Sequence, residues 1–316
     1  MSYAQYGTIA ASDYNNLIGA AVGSTANVLN TVWSTGSGAA GYGQTALANV
    51  ATGDTVAASS WANLINRTSN SASHQSSSIT SVTAPASGNT ILYNANVVTN
   101  LQTVYTNRLN AVSQSGTTAN TATYGTTWLN AITFTHTVTF TSGDAARYFF
   151  NSGGQLAITC SHPAGTGINL LLNNLASNVG TVVLSSPTSG AASIAGTSYN
   201  GVTKVGGGGS TPTISTNSGY YNWTTANANV FYQTASTGPS GYLSTNINVL
   251  VKTNGTVGSN GDKGNIVTIY TIWDEIPNGL TVATGSATTV TIRPPEVTYI
   301  ANTWGTPTVS GTVTGS

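Results

Sequence analysis

The chain has 316 residues, of which only 4% are charged, and its formal net charge is zero. Its polar surface must therefore be built from Ser, Thr, Asn, Gln and Gly, and it lacks the basic patch that binding to nucleic acid requires. With 39% hydrophobic residues, six Trp and fifteen Tyr, the chain is too rich in apolar side chains to be disordered.

The first 115 residues are expected to be helical. Apolar residues at helical spacing in residues 12–33 predict a first helix, with Ser12 as its N-cap. The apolar side of that helix would include Ala21, Val22 and Val28. A second helix is expected from Ala58, and a third in residues 90–112, where the apolar spacing is most regular.

Residues 116–133 are rich in Ser, Thr and Gly and are expected to form a linker. Residues 134–316 then alternate polar and apolar side chains between turn signals, which predicts antiparallel strands. The predicted strands are residues 134–141, 155–161, 180–185, 220–225, 230–234, 247–253, 266–273 and 289–293. Residues 168–175 have helical spacing and are expected to form a helix across one sheet face, and residues 299–316 an extended tail.

These patterns predict an α+β fold. A helical N-terminal region, residues 1–115, would be followed by an antiparallel β-sandwich or jelly-roll-like domain, residues 134–316. Residues 134–161 mark the change between the two, and we interpret them as a boundary hairpin. The aromatic run in that hairpin, residues 148–150, is predicted to be a packing anchor.

A metal site is one alternative for the hairpin. If its two strands pair, His136 could lie opposite His162, with Cys160 two residues along. Two imidazoles and a thiol suit zinc, but a fourth ligand is missing and the register is assumed. Ordinary polar strand residues are the favoured interpretation, and no metal and no other cofactor is predicted.

Catalytic residues are also not evident. Asp274 and Glu275 are adjacent at a strand end, so their side chains should point to opposite faces and cannot form a carboxylate pair. Cys160 has no activating context, and as the single cysteine it cannot form an internal disulfide. We therefore predict that the chain is not an enzyme. Hydrolysis by acids from distant segments stays open as an alternative.

Aromatic residues of the β-region are candidates for a surface on which sugar rings could stack. Packing in the core or at a subunit interface is the favoured interpretation, since aromatic side chains dominate both. The possible contacts with a glycan or a partner are Tyr220, Tyr221, Trp223, Tyr232 and Tyr242.

The surface composition is typical of extracellular β-structures, viral shells and fibres. The first ten residues have neither the basic nor the apolar segment of a secretory signal peptide. The longest apolar runs are interrupted by Asn and are far shorter than the roughly 20 residues that span a bilayer, so membrane insertion is not expected. Such a chain suits a phage particle that is assembled in the host cytoplasm and released by lysis.

Several short motifs carry a resemblance to a known group of proteins. They are YG at residues 6–7, DYN at 13–15, GYGQ at 41–44, WANLINR at 61–67, HQ at 74–75, YFFNSGG at 148–154, GNI at 264–266 and TYIANTWG at 298–305. In this order they resemble virion structural proteins of T4-like tailed phages that infect marine cyanobacteria. The resemblance implies a tail-fibre-like or appendage component of the virion, without catalytic residues.

Composition and resemblance together predict a non-enzymatic structural protein of a tailed-phage virion, associated with the tail or baseplate. Its helical region would dock to other virion proteins. It would assemble with itself, as a homotrimer by analogy with phage fibres, and could contact host surface polysaccharide. The alternatives are a capsid decoration protein, such as a head fibre, and a glycan-binding receptor-binding module or depolymerase.

Overall fold

The computed structural model describes residues 10–19, 29–91, 94–255, 260–277 and 279–315. In these ranges the chain has an N-terminal helical region followed by a strand-rich region with antiparallel sheets, which confirms the predicted α+β fold. None of the helices in the described ranges has both the length and the apolar character that crossing a membrane requires.

The described part of the N-terminal region contains four helices: α1 (Ala11–Ile18), α2 (Leu29–Trp33), α3 (Ala58–His74) and α4 (Ala95–Thr106). The predicted N-cap at Ser12 is wrong, because α1 begins at Ala11 with Ala10 as its N-cap, and the Asp13 carboxylate accepts a hydrogen bond from the Ala10 N–H. The predicted continuation of α1 through Ala21, Val22 and Val28 lies outside the described residues.

Helix α4 is shorter than predicted at both ends. It begins after Asn94, whose side chain accepts a hydrogen bond from the Asn96 N–H at 2.9 Å, and it ends at Thr106 rather than near Val112. Its buried face, which includes Leu101 and Val104, packs with the buried residues of the other helices. The helix begins only after Asn94, because Asn favours the extended backbone of an N-cap over a helix interior.

Two further helices, α5 (Gly143–Asn151) and α6 (Ile168–Val179), lie among the strands, with a short 3-10 helix at Tyr220–Asn222. The strands in chain order are β1 (Thr118–Thr123), β2 (Ala131–Thr139), β3 (Gln155–Ser161), β4 (Thr181–Leu184), β5 (Ala192–Ile194), β6 (Thr197–Tyr199), β7 (Val202–Val205), β8 (Thr213–Ile214), β9 (Ala228–Thr234), β10 (Asn246–Thr253), β11 (Ile266–Asp274), β12 (Ala287–Arg293) and β13 (Thr308–Gly315).

The strands form two main antiparallel sheets. The five-stranded sheet has the order β1-β12-β3-β4-β7, and the six-stranded sheet has the order β13-β2-β11-β10-β9-β8, while β5 and β6 form a small hairpin. Strand β2 shows how sequence sets the layers: Ile132, Phe134 and Val138 are buried, and the threonines between them are half-exposed. This alternation puts one face of the six-stranded sheet against the core and the other towards solvent.

Helix α6 confirms the helix predicted at residues 168–175. Its buried side, with Leu171, Leu172 and Leu175, packs against β3 and also contacts β9 and β10. The helix therefore fills the space between the two sheets on one side of the sandwich.

The predicted hairpin at residues 134–161 is wrong. Strand β2 pairs with β11 and β13 in the six-stranded sheet, whereas β3 pairs with β12 and β4 in the five-stranded sheet. The turn between them is helix α5, which Ser142 caps by accepting a hydrogen bond from the Ala145 N–H at 3.0 Å. Phe149 and Phe150 on this helix are fully buried, which confirms the packing role predicted for them.

Three further predictions need correction or extension. The expected linker at residues 116–133 contains β1, which pairs with β12. Residues 220–225 are not a strand: Tyr220–Asn222 form the 3-10 helix, and this turn brings Tyr220 and Trp223 into the core together. The extended tail forms β13, which pairs with β2 along its full length.

A buried polar network on α5 joins the helical region to the sheets. The fully buried Arg147 guanidinium donates hydrogen bonds to the carbonyls of Thr35 at 2.6 Å and Ala40 at 2.8 Å, and it forms an ion pair with Asp144 at 3.1 Å. One turn further along, the Asn151 amide donates to three carbonyls of the same loop, residues 38–41, at 3.0–3.1 Å. This loop is thereby fixed against the β-region through its backbone.

One hydrophobic cluster extends from Tyr14 in α1 to Trp304 near the C-terminal strand. The helical region and the sheets therefore share a core. The division into domains at residues 115 and 134 stays a prediction.

Candidate functional site

The structure does not assemble the five candidate aromatic residues into one surface. Tyr220 and Trp223 are fully buried, and their rings pack against Phe150, with Tyr220 stacked at a centroid distance of 4.4 Å. Burial raises the pKa of the Tyr220 hydroxyl, which accepts a hydrogen bond from the Lys263 N–H at 3.0 Å. These two side chains stabilise the core and cannot stack on a sugar in this conformation.

The other three candidates lie apart from each other. The Tyr221 hydroxyl is 2.7 Å from both the Gly38 carbonyl oxygen and the Asn151 side-chain oxygen, so it belongs to the polar network on α5. Tyr232 is half-buried on β9. Tyr242 is half-buried in the loop before β10, at the opposite end of the sandwich from Tyr220. A contact with a glycan or a partner stays a prediction for Tyr232 and Tyr242.

The residues of the metal alternative are also separated. His136 faces the interior from β2, whereas Cys160 and His162 belong to the other sheet and its following loop. Within the described ranges, His, Cys, Asp and Glu side chains form no group of three that could hold a metal ion. Burial raises the pKa of Cys160 to about 12, so its thiol stays protonated at neutral pH.

The two acids at the end of β11, Asp274 and Glu275, do not form a carboxylate pair. Asp274 is half-exposed on the strand, while Glu275 is fully buried after it, so the two carboxylates occupy different environments. The Glu275 side chain accepts a hydrogen bond from the Leu280 N–H at 3.0 Å, and its second oxygen is buried without a hydrogen-bond partner. Burial raises the pKa of this carboxyl group.

A different feature emerges at the end of the sandwich where Glu275 lies. We call it the loop end and define it as residues 124–130, 162–170, 235–245 and, apart from residue 278, 275–286. The strands that border it end together, because Asp274 pairs with both Ala131 and Asn246 across the six-stranded sheet. In the five-stranded sheet Ala287 pairs with both Thr123 and Ser161 at the same end.

Hydrogen bonds hold these loops together. Residues 128 and 282 exchange backbone hydrogen bonds, and the Glu275 N–H donates to the Asn130 carbonyl at 2.9 Å. The Thr245 hydroxyl bridges to the backbone of Ile276, and the Asn169 side-chain oxygen accepts from the Ala283 N–H at 2.8 Å. All four segments of the loop end are therefore linked directly or through one shared loop.

Exposed apolar side chains are concentrated at the loop end. Among the described residues, five of the eight large hydrophobic side chains that are exposed belong to it: Leu129, Leu170, Leu243, Ile276 and Leu280. Each is 36–47% exposed. Since single exposed leucines are normal on a protein surface, it is their occurrence together on linked loops that makes this end a candidate contact surface.

The loop end carries almost no charge. Its segments contain one Asp, Glu, Lys or Arg residue, the buried Glu275, and Asp274 lies at its border. His162 is buried there between the Ser286 hydroxyl at 2.9 Å and the Asn169 side chain at 3.2 Å, and burial lowers the pKa of its imidazole. A partner would therefore be held by apolar and neutral polar contacts rather than by charge.

The helical region contacts the other end of the sandwich. The His74 ring nitrogen Nε2 is 3.1 Å from the Ser152 carbonyl oxygen, just before β3 begins. The Gly38 N–H donates to the Asn260 carbonyl at 2.8 Å, in the segment that leads into β11. The molecule thus has a helical end and a loop end, separated by the length of the strands.

Sequence reasoning did not identify the loop end. The available signal was the position of Leu129, Leu243 and Leu280 in segments between strands, where apolar side chains have no strand face to bury them. Comparison of the chain with family models, with curated proteins and with solved structures gave no match. The fold and the loop end therefore define the class only as an α+β protein with two antiparallel sheets.

Proposed function

We propose that this protein is a non-enzymatic structural component of a tailed-phage virion. Its helical end attaches to the particle, and its loop end contacts a partner, either a neighbouring virion protein or the host surface. The observation that carries the proposal is the placement of the helical region and the exposed apolar side chains at opposite ends of the sandwich. The charge-poor surface and the resemblance of the motifs to virion proteins support the particle as its location.

A body with two distinct ends suits a connecting role. Exposed apolar groups rimmed by polar residues are typical of surfaces that bind other proteins. The low charge of the chain gives little electrostatic steering, so contact would depend on high local concentration, as on an assembled particle.

Labelling of intact particles tests the location. With an antibody against the chain, electron microscopy of the phage that encodes it should place the label at the tail or baseplate, in copy numbers that follow tail symmetry. Label distributed over the capsid would favour a decoration protein instead. Absence of the chain from purified particles would contradict the proposal.

A variant of the loop end tests the contact surface. Replacing Leu243 and Leu280 together with serine should leave the free energy of unfolding within about 1 kcal/mol, because both side chains are exposed. The same change should reduce attachment of the particle to cells, or incorporation of a neighbouring protein, at least several-fold. Both are measured with particles that carry the variant chain.

The matched control is Val297→Ser. Val297 is equally exposed but lies near the helical end, next to Glu296, whose N–H bonds to the Ser113 carbonyl. The control should leave attachment and incorporation unchanged. Equal loss from both variants, or loss from neither, would show that the loop end has no particular role.

A further inference from the structure

Strand β13 forms an edge of the six-stranded sheet and is paired on one side only. Its eight residues pair with β2 in an unbroken register, from Thr308 opposite Thr139 to Gly315 opposite Ile132. Among the described residues, no backbone hydrogen bond joins β13 to any other strand. Half of its backbone N–H and C=O groups therefore point away from the sheet without a strand to accept them.

This edge lacks the features that usually prevent a strand from pairing with another chain. Proteins protect sheet edges with charged side chains, proline, bulges or very short strands. Residues 297–316 contain no charged residue, and β13 itself contains neither proline nor a bulge. By contrast, β8 at the other edge of this sheet has only two residues, and β7 at an edge of the second sheet carries Lys204. The remaining edge, β1 (Thr118–Thr123), is also uncharged and packs against β13, with the Asn120 side chain next to Gly311, but no backbone hydrogen bond joins these two strands in the described ranges.

The sequence of β13 reads nearly the same in both directions from Gly311. It is TVSGTVTG, and an antiparallel pairing centred on Gly311 sets Thr308 opposite Thr314 and Val309 opposite Val313. The half-buried Val309 and Val313 face the core side, and Thr308 and Thr314 face solvent. This pairing keeps the two faces continuous, because directly opposed residues in antiparallel strands lie on the same side of the sheet.

We propose that β13 is the site where a second copy of this chain binds. The two β13 strands pair antiparallel about a twofold axis through Gly311 and join the two six-stranded sheets into one. Such a contact is isologous, so it closes at two copies. It differs in symmetry from the homotrimer expected by analogy with fibres, and it does not depend on where the protein sits in the particle.

Neighbouring residues favour this partner over an unrelated peptide. The outward side chains of β13 continue the row of threonines on β2, in which Thr139, Thr137 and Thr135 lie opposite Thr308, Ser310 and Thr312. A second copy would extend this uncharged, β-branched surface on both strands with cross-strand Thr pairs. A single strand pair buries less area than a standard stable interface, so we expect affinity in the micromolar range.

Disulfide trapping between two single variants tests the register. Thr308→Cys and Thr314→Cys both replace exposed side chains, so neither should disturb the fold. When the two variants are mixed under mild oxidation, a disulfide-linked dimer should form, because the two positions are directly opposed. Each variant alone should link poorly, because its two cysteines would lie six residues, or about 20 Å, apart. The unmodified chain, with Cys160 as its one cysteine, is the blank.

Mass measurement of the free protein gives a second readout. The unmodified chain should show a concentration-dependent dimer, which Ser310→Lys with Thr312→Lys should abolish by placing like charges opposite each other. Asn229→Lys, an exposed strand position away from β13, is the control and should leave the dimer intact. A monomer at tens of micromolar, a trimer, or linkage in the single variants as strong as in the mixture would overturn the proposal. None of these results would affect the labelling of particles.

Discussion

Replacing Arg147 with alanine is expected to lower the free energy of unfolding by about 3–5 kcal/mol, chiefly because two hydrogen bonds from a charged, buried donor are lost. The guanidinium is fully buried and is the donor to the Thr35 and Ala40 carbonyls, while it also pairs with Asp144. Its loss leaves both carbonyls without this donor and removes the cation beside a carboxylate, and both effects destabilise the fold. Chemical denaturation at neutral pH measures the change.

Arg147→Lys should recover little of that stability. An ammonium group cannot reach the carbonyls and the carboxylate together, whereas the planar guanidinium has donors in fixed directions for all of them. The loop at residues 35–41 should also become sensitive to proteases, because Arg147 and Asn151 fix its backbone.

Arg67→Ala is the matched control. The Arg67 guanidinium is half-buried and lies 4.9 Å from the centre of the Trp33 ring, an interaction worth about 1 kcal/mol at such a site. If the two alanine variants lose the same stability, or if Arg147→Lys is as stable as the unmodified chain, the buried network does not hold the helical region to the sheets.

Sequence patterns predicted the strands whose two faces differ clearly. Strand β11 extends only one residue beyond its predicted limits, because buried and half-exposed side chains alternate along it. Strand β3 has the predicted limits although its first four residues are buried on both faces. Strands β1 and β13 were not predicted as strands because Thr, Ser, Gly and Ala dominate them. Their pairing depends on backbone hydrogen bonds with β12 and β2, which the local pattern does not reveal.

The assumed hairpin failed for a related reason. Two strands close in sequence usually pair, but here Ser142 caps a helix between them and Asp144 adds a favourable charge to its first turn. These signals were present in the sequence. A helix of nine residues, with Phe149 and Phe150 buried, then leads the chain from one sheet to the other.

The aromatic residues illustrate the limit for sites. Tyr220 and Trp223 could be read from the sequence as a binding surface or as core, and only the burial against Phe150 decides for core. The loop end has the opposite difficulty, since Leu129, Leu243 and Leu280 are distant in sequence and lie on loops that only long-range hydrogen bonds bring together. Long-range contacts, rather than residue types, define this surface.

Acidification from pH 7 to pH 4.5 should destabilise the protein. His74 is fully buried, and burial lowers the pKa of its imidazole from 6.5 to about 4. His74 is therefore protonated near pH 6.5 in the unfolded chain but only near pH 4 in the folded chain. The stability linked to His74 is complete above pH 6.5 and is lost as the pH falls towards 4, by an amount of about 3 kcal/mol.

Other buried titrating groups also change the free energy of unfolding with pH. Burial lowers the pKa values of His136 and His162 as well, so both add to the loss in the same direction. The raised pKa of Glu275 acts oppositely, because its protonated form is favoured in the fold and stabilises it as the pH falls. Because three histidines oppose one carboxyl group, the net free energy of unfolding should decrease between pH 7 and pH 4.5.

His74→Gln isolates the largest contribution. A glutamine amide can donate to the Ser152 carbonyl as the imidazole does, but it does not titrate, so the variant should be less stable at pH 7 and depend less on pH. Denaturation curves for both proteins at pH 7, 6, 5 and 4.5 give the comparison. The difference between the two proteins should shrink as the pH falls, since protonation removes only the stability that His74 contributes. A constant difference across this range would mean that His74 stays neutral in the unfolded chain too, or is already protonated in the fold, and the buried neutral imidazole would then not be the cause of acid sensitivity.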